Sequence, residues 1–123
     1  MDAKKLKEIL RLHAEWLADN KKGKRADLTR ADLTRADLTR ADLTWADLTW
    51  ADLTRADLYG ADLDYSVWPL WCGTKGVRVD AKIAAQLAAH FCVLDCKDKG
   101  YLAARKAILK FAKTSHRAKD LGL

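Results

Sequence analysis

The sequence has no apolar run long enough to cross a bilayer. Its longest mostly apolar stretch, Ile83 to Leu94, is 12 residues and contains Gln86 and His90, against the ~20 a spanning helix needs. It also offers no apolar segment of the kind an export signal requires. Met1-Asp2-Ala3-Lys4-Lys5 leads straight into mixed charge. Cysteine is scarce and odd in number, three in 123 residues. With no export signal, reduced thiols and a cytoplasmic location are expected. There is no C-x-x-C pair and no standard zinc spacing. Cys92 and Cys96 are four apart, a helical spacing that can share a metal with Cys72 and His90, but packing as small hydrophobes is the simpler reading. No phosphate loop exists either, since Gly73-Thr74-Lys75-Gly76 lacks the G-x-x-x-x-G-K-[ST] spacing. A Cys–His nucleophile pair built on Cys92 or Cys72 with His90 or His116 would need an oxyanion hole that nothing in the sequence suggests. The expectation is a protein that is not an enzyme, with no cofactor and no metal.

What is present is charge, unevenly placed. The formal net charge is +6. Residues 1–25 carry 8 Lys/Arg and 4 Asp/Glu, residues 26–65 carry 4 Arg and 9 Asp, and residues 66–123 carry 11 Lys/Arg and 4 Asp. The two ends are basic and the middle is acidic, so the overall charge alone says little about partners.

The acidic middle is an internal repeat. From Ala26 to Tyr65, Ala-Asp-Leu recurs eight times with period five. The fourth position is Thr in the first six units. The fifth reads Arg30, Arg35, Arg40, Trp45, Trp50, Arg55, Gly60, Tyr65. On an α-helix each residue turns ~100°, so successive Leu would step ~140° and spread around the axis. On a continuous strand an odd period would flip Leu between faces. One buried side results only if the chain turns once per unit, with Ala and Leu inward, Asp outward and the last two residues at a corner. The core is then Leu28, Leu33, Leu38, Leu43, Leu48, Leu53, Leu58 and Leu63, interleaved with Ala.

The run resembles the pentapeptide-repeat proteins, whose motif is A-(D/N)-L-x-x. The resemblance implies a mainly β solenoid with α caps: a short right-handed quadrilateral β-helix of about 2–2.5 coils, flanked by an N-terminal helix and a C-terminal helical hairpin. Four units would make one coil, so 26–45 would be the first and 46–65 the second. Ser66-Val67-Trp68-Pro69-Leu70 would open a third, with Ser66 and Trp68 inward, before Pro69 and Trp71-Cys72-Gly73 mark an exit. The expected division is 1–25 as capping helix and linker, 26–70 as repeat, and 71–123 as C-terminal capping helices.

That register maps the outer surface. Residues twenty apart stack ~4.8 Å apart, which sets Asp27 over Asp47, Asp32 over Asp52, Asp37 over Asp57 and Asp42 over Asp62. Like charges opposite one another destabilise, and the corner residues Arg30, Arg35, Arg40 and Arg55 are the expected compensation. Corners pair as Arg30/Trp50, Arg35/Arg55, Arg40/Gly60 and Trp45/Tyr65, with Leu70 following Trp50. Trp45, Trp50, Tyr65 and Leu70 then gather on adjoining corners. Either the chain itself covers them, by a terminal helix or by Arg30 over Trp50, or they form a binding or self-association patch.

The flanks read as helices that would cover open repeat edges. Leu6, Ile9, Leu10, His13, Trp16 and Leu17 make an amphipathic stripe over 2–19, with Asp2 as N-cap and Gly23 as stop. His13 is expected to pack rather than to act as ligand or base. Asp80 would cap a helix over 81–96. One of its faces is Ile83, Leu87, Phe91 and Leu94, and the other is Ala84, Ala85, Ala88, Ala89 and Cys92, so it should be buried on two sides. A third helix is expected from about Lys99 to Ser115, with Tyr101, Leu102, Ile108, Leu109 and Phe111 inward. It would carry a basic stripe of Lys106, Lys110, Lys113 and Arg117, either a solvated face or a track for phosphates.

The functional expectation is a non-enzymatic protein-interaction or scaffold module, monomer or homodimer, that binds another protein and no membrane. One alternative is a nucleic-acid-binding accessory protein using the basic C-terminal helix. Another comes from the family resemblance: several pentapeptide-repeat proteins act on DNA gyrase as acidic rods that imitate duplex DNA. A rod only ~10–15 Å long, with Arg at its corners and basic flanks, disfavours that role here.

Overall fold

The first helix, α1 (Ala3–Ala18), begins where Asp2 accepts a hydrogen bond from the Lys4 backbone N–H (2.9 Å). It stops at Ala18, five residues before Gly23, which instead turns the chain back along the helix. Gly23 has a left-handed φ of 64°, and a Cβ there would fall 2.2 Å from the Leu12 carbonyl oxygen. Lys24 N–H donates to that same carbonyl (3.0 Å). Leu6 and His13 are the buried residues of α1.

The computed structural model describes residues 1–123. Two compact units are present, Met1–Arg78 and Val79–Leu123.

In the first unit every repeat unit makes the same turn. The Leu carbonyl accepts from the Ala N–H three residues on, as in Leu28 to Ala31 (3.0 Å) and Leu48 to Ala51 (2.9 Å). The third residue of each turn is left-handed, as a type II turn demands. Arg30, Arg35, Arg40, Trp45, Trp50, Arg55 and Tyr65 have φ between 56° and 67°, and Gly60 has 75°. These are the only non-glycine residues with positive φ, and all are fifth-position residues. Each such corner costs about 1–2 kcal/mol of backbone strain. Burial offsets it: Leu28, Leu33, Leu38, Leu43, Leu48, Leu53 and Leu58 are at most 1% exposed, and each fully buried Leu contributes roughly 1.5–3 kcal/mol.

The mainly β fold class is nevertheless not what forms. There is no β-strand and no sheet. Pairing is confined to isolated parallel bridges, and the regular structure is three α-helices. The 2–2.5 coil β-solenoid is therefore replaced by a chain of bridged turns with helical flanks. A strand needs several consecutive extended, paired residues. Here a turn intervenes after Leu in every unit, so only Asp of each unit reaches a bridge. The twenty-residue offset itself is present: Asp27 bridges Asp47, Asp32 bridges Asp52, Asp37 bridges Asp57, Asp42 bridges Asp62, and Asp47 bridges Val67. Beyond Val67 the offset becomes twenty-one, with Asp57 bridging Arg78. A 3₁₀ turn at Cys72–Thr74 absorbs the extra residue. This slip moves the expected inward positions. Trp68 is only half-buried, Pro69 is buried, and Leu53 N–H donates to Gly73 O (2.6 Å).

In the second unit α2 runs Ala81–Cys92 from an Asp80 N-cap, and α3 runs Lys99–Ala112 from an Asp98 N-cap. Both are shorter than the sequence suggests. α2 ends at Cys92 because side chains of α3 take its terminal carbonyls: Tyr101 Oη donates to Phe91 O (2.7 Å) and Arg105 Nε to Cys92 O (2.6 Å). Cys96 therefore lies beyond the helix, and its four-residue helical spacing from Cys92 is not realised. The small residues Ala89, Cys92 and Ala112 form the core, with Phe91, Ile108 and Leu109 against it. The expected inward residues Leu87, Leu94, Leu102 and Phe111 are instead exposed.

Candidate interaction surface

The left-handed corners hold their side chains outward on a backbone with little freedom to adapt. Trp45 stacks on Tyr65, ring centroids 4.7 Å apart and planes 12° from parallel. This is the expected corner pair. Trp50, by contrast, meets Trp71 (6.1 Å, 53°) rather than Leu70. The one-residue slip after Val67 brings Trp71 to that corner and leaves Leu70 96% exposed. The Trp71 indole N–H donates to Ala51 O (2.9 Å), which fixes the ring. Between the two corners Val67 occupies a position where earlier units place Asp, and it is 49% exposed. Trp50, Val67, Pro69, Leu70 and Trp71 line a shallow groove of about 130 Å³. The chain does not cover these aromatics with Arg30. The cation–π contact that forms is Arg78 over Tyr59, 4.6 Å from its centroid.

The acidic stack is relieved locally and not by the corner arginines. In each of the first six units Asp Oδ1 accepts from the N–H two residues on, at 2.9–3.1 Å. Threonine hydroxyls add a second bond, as from Thr39 to Asp37 and Thr54 to Asp52 (both 2.6 Å). Hydrogen bonds from Thr hydroxyl first, and Thr backbone N–H second, hold the carboxyls of Asp27, Asp32, Asp37 and Asp47 below their ordinary range. The arginine that meets the stack is Arg78, with its Nη1 2.5 Å from Asp57 Oδ2.

His13 ties α1 to the repeat. It is fully buried. Ala26 N–H donates to its Nδ1 (2.9 Å), so the proton sits on Nε2, which donates to Thr44 O (2.8 Å). Both ring nitrogens are satisfied structurally.

Of the four basic positions, Lys106, Lys110 and Lys113 keep the helical spacing and Arg117 leaves it. Lys106 and Lys110 are exposed on α3, Lys113 is the C-cap residue, and Arg117 lies past the helix, half-buried and 3.2 Å from Asp120. No group of three or more His, Cys, Asp or Glu is placed to hold a metal ion. No helix is long and apolar enough to cross a membrane.

Residues 24–55 match the family model for pentapeptide repeats, in eight copies. The repeat segment is a run of pentapeptide repeats. The units extend beyond the matched stretch, since Ala-Asp-Leu recurs at 56 and 61. No curated protein and no solved structure matches the chain. Trp71, a pentapeptide-repeat corner partner after the slip, was not legible as such. A signal exists in Gly76, a left-handed glycine (φ 70°) that stacks on the Arg55 corner twenty-one residues earlier, as Gly60 stacks on Arg40 twenty earlier.

Proposed function

We propose that this repeat protein is a non-enzymatic protein-interaction module whose contact surface is the two aromatic corners, Trp45 with Tyr65 and Trp50 with Trp71, extended by the exposed Leu70. The observation that carries the reading is the Trp45–Tyr65 stack: two large rings fixed in parallel yet 48% and 55% exposed. Rigid, exposed aromatics bind with little loss of side-chain freedom, which is why they dominate interface energetics. The eight buried or nearly buried leucines support this by making the frame beneath stiff.

The test is affinity capture from native cytoplasm with the intact chain and with a Trp45→Ser, Trp50→Ser double variant. A partner held by the intact chain and lost by the variant, at unchanged circular dichroism, supports the reading. A partner held equally by both contradicts it. A second reading, nucleic-acid binding, draws on Lys106 and Lys110 being exposed. A low-salt shift of labelled duplex DNA that Lys106→Glu and Lys110→Glu abolish would replace the first reading.

A further inference from the structure

Trp45 borders a second depression, distinct from the groove at Trp50. It holds about 440 Å³ and is lined by Trp16, Leu17, Ala18, Asp19, Asn20 and Trp45. All belong to the first unit. We propose that this cleft receives an arginine side chain of a partner protein. The proposal rests on the reading of the repeat surface as a contact surface and names the chemistry of what it contacts.

Three observations converge on a guanidinium. First, each indole already has one aromatic neighbour holding it in place: Tyr65 on Trp45 (4.7 Å, 12°) and His13 on Trp16 (5.8 Å, 14°). His13 is itself pinned by two backbone hydrogen bonds. The aromatic walls are thus preorganised, and indole is the best ring for a cation.

Second, the cleft lies at the C-terminal end of α1, where the helix presents partial negative charge and unpaired carbonyls. Asp19 adds a full carboxylate at that end. Its Oδ1 accepts from Lys21 N–H (3.0 Å), which orients the group and leaves Oδ2 available. Third, no lysine or arginine lines the cleft, although basic residues outnumber acidic ones in residues 1–25. A planar guanidinium stacks flat on an indole while one of its N–H groups donates to the free carboxylate oxygen, which a compact lysine ammonium does less well.

The experiment follows the five indole N–H signals of the full-length ¹⁵N-labelled chain during titration with Nα-acetyl-arginine amide. Nα-acetyl-citrulline amide, of the same shape without the charge, is the control. The Trp16 and Trp45 signals move together and saturate in the millimolar range, about what one cation–π contact and one charged hydrogen bond supply. Citrulline amide leaves them in place, and Trp50, Trp68 and Trp71 stay put. Asp19→Asn keeps the Oδ1 acceptor for Lys21 and weakens binding roughly 3-fold or more. Absence of movement at Trp16 and Trp45, an equal response to citrulline amide, or unchanged affinity in Asp19→Asn would overturn the proposal. No partner is used here, so failure counts against the arginine site alone, whereas failure of partner capture counts against the contact surface.

Discussion

A threonine hydroxyl two residues downstream is the first cause that holds the carboxyls of Asp27, Asp32, Asp37 and Asp47 below their ordinary range. Asp37 accepts from both the hydroxyl and the N–H of Thr39, and its carboxyl is held below the ordinary range by the hydroxyl first and the N–H second. Its folded pKa is therefore lower than its unfolded one. The associated stability is fully present above the unfolded value and is lost as pH falls through the folded value. The same holds for Asp27, Asp32 and Asp47. We expect the thermal midpoint to hold steady at neutral and mildly acidic pH and to fall on further acidification. Thr39→Val should raise the Asp37 midpoint in a carboxyl ¹³C titration while leaving Asp27 unchanged. An unchanged Asp37 midpoint would contradict the assignment. The period of five made the inward Leu and Ala legible, because no other arrangement buries them on one side. It did not reveal that Thr satisfies Asp, since a side-chain turn of this kind leaves no periodic signature beyond the Thr itself. The left-handed corners were likewise hidden by Arg, Trp and Tyr. Gly60 alone hinted at them.

At the scale of elements, α1 is tied to the repeat by the His13 imidazole, which bridges Ala26 N–H and Thr44 O, beside the buried Leu6 and the Met1 ammonium that donates to Asp32 O (2.6 Å). His13→Phe keeps the ring but leaves both backbone groups without a partner, at a cost of about 1–3 kcal/mol each if α1 stays docked. The expected outcome is a loss of roughly 2–6 kcal/mol in unfolding free energy, with amide exchange over 3–18 accelerated before that of 46–63. Unchanged protection of α1 would show that His13 only fills space. The amphipathic stripe disclosed α1 and its Asp2 cap. The partners of His13 were invisible, because they depend on which backbone groups the first four units leave unpaired. The early end of α2 was also illegible. It depends on Tyr101 and Arg105 reaching back to Phe91 and Cys92, long-range contacts that helical periodicity does not encode.

At the scale of the molecule, one segment carries two separable roles. Its inward residues set stability, and in the function proposed above its corner residues set recognition. The β class expected from the family resemblance fails because each unit forms only one isolated bridge before its turn, although the twenty-residue offset drawn from the same resemblance is present. Slippage to twenty-one after Val67 placed Trp71, not Leu70, at the Trp50 corner, and an insertion of that kind cannot be located before the pairing is known. The division of roles is tested most directly by chemical denaturation of two variants in the same unit. Leu48 is fully buried and Trp50 is 59% exposed. Leu48→Ala should lose about 2–5 kcal/mol of unfolding free energy. Trp50→Ala should lose no more than about 1.5 kcal/mol, the value of its ring contact. Equal losses, or a larger loss at Trp50, would contradict the account.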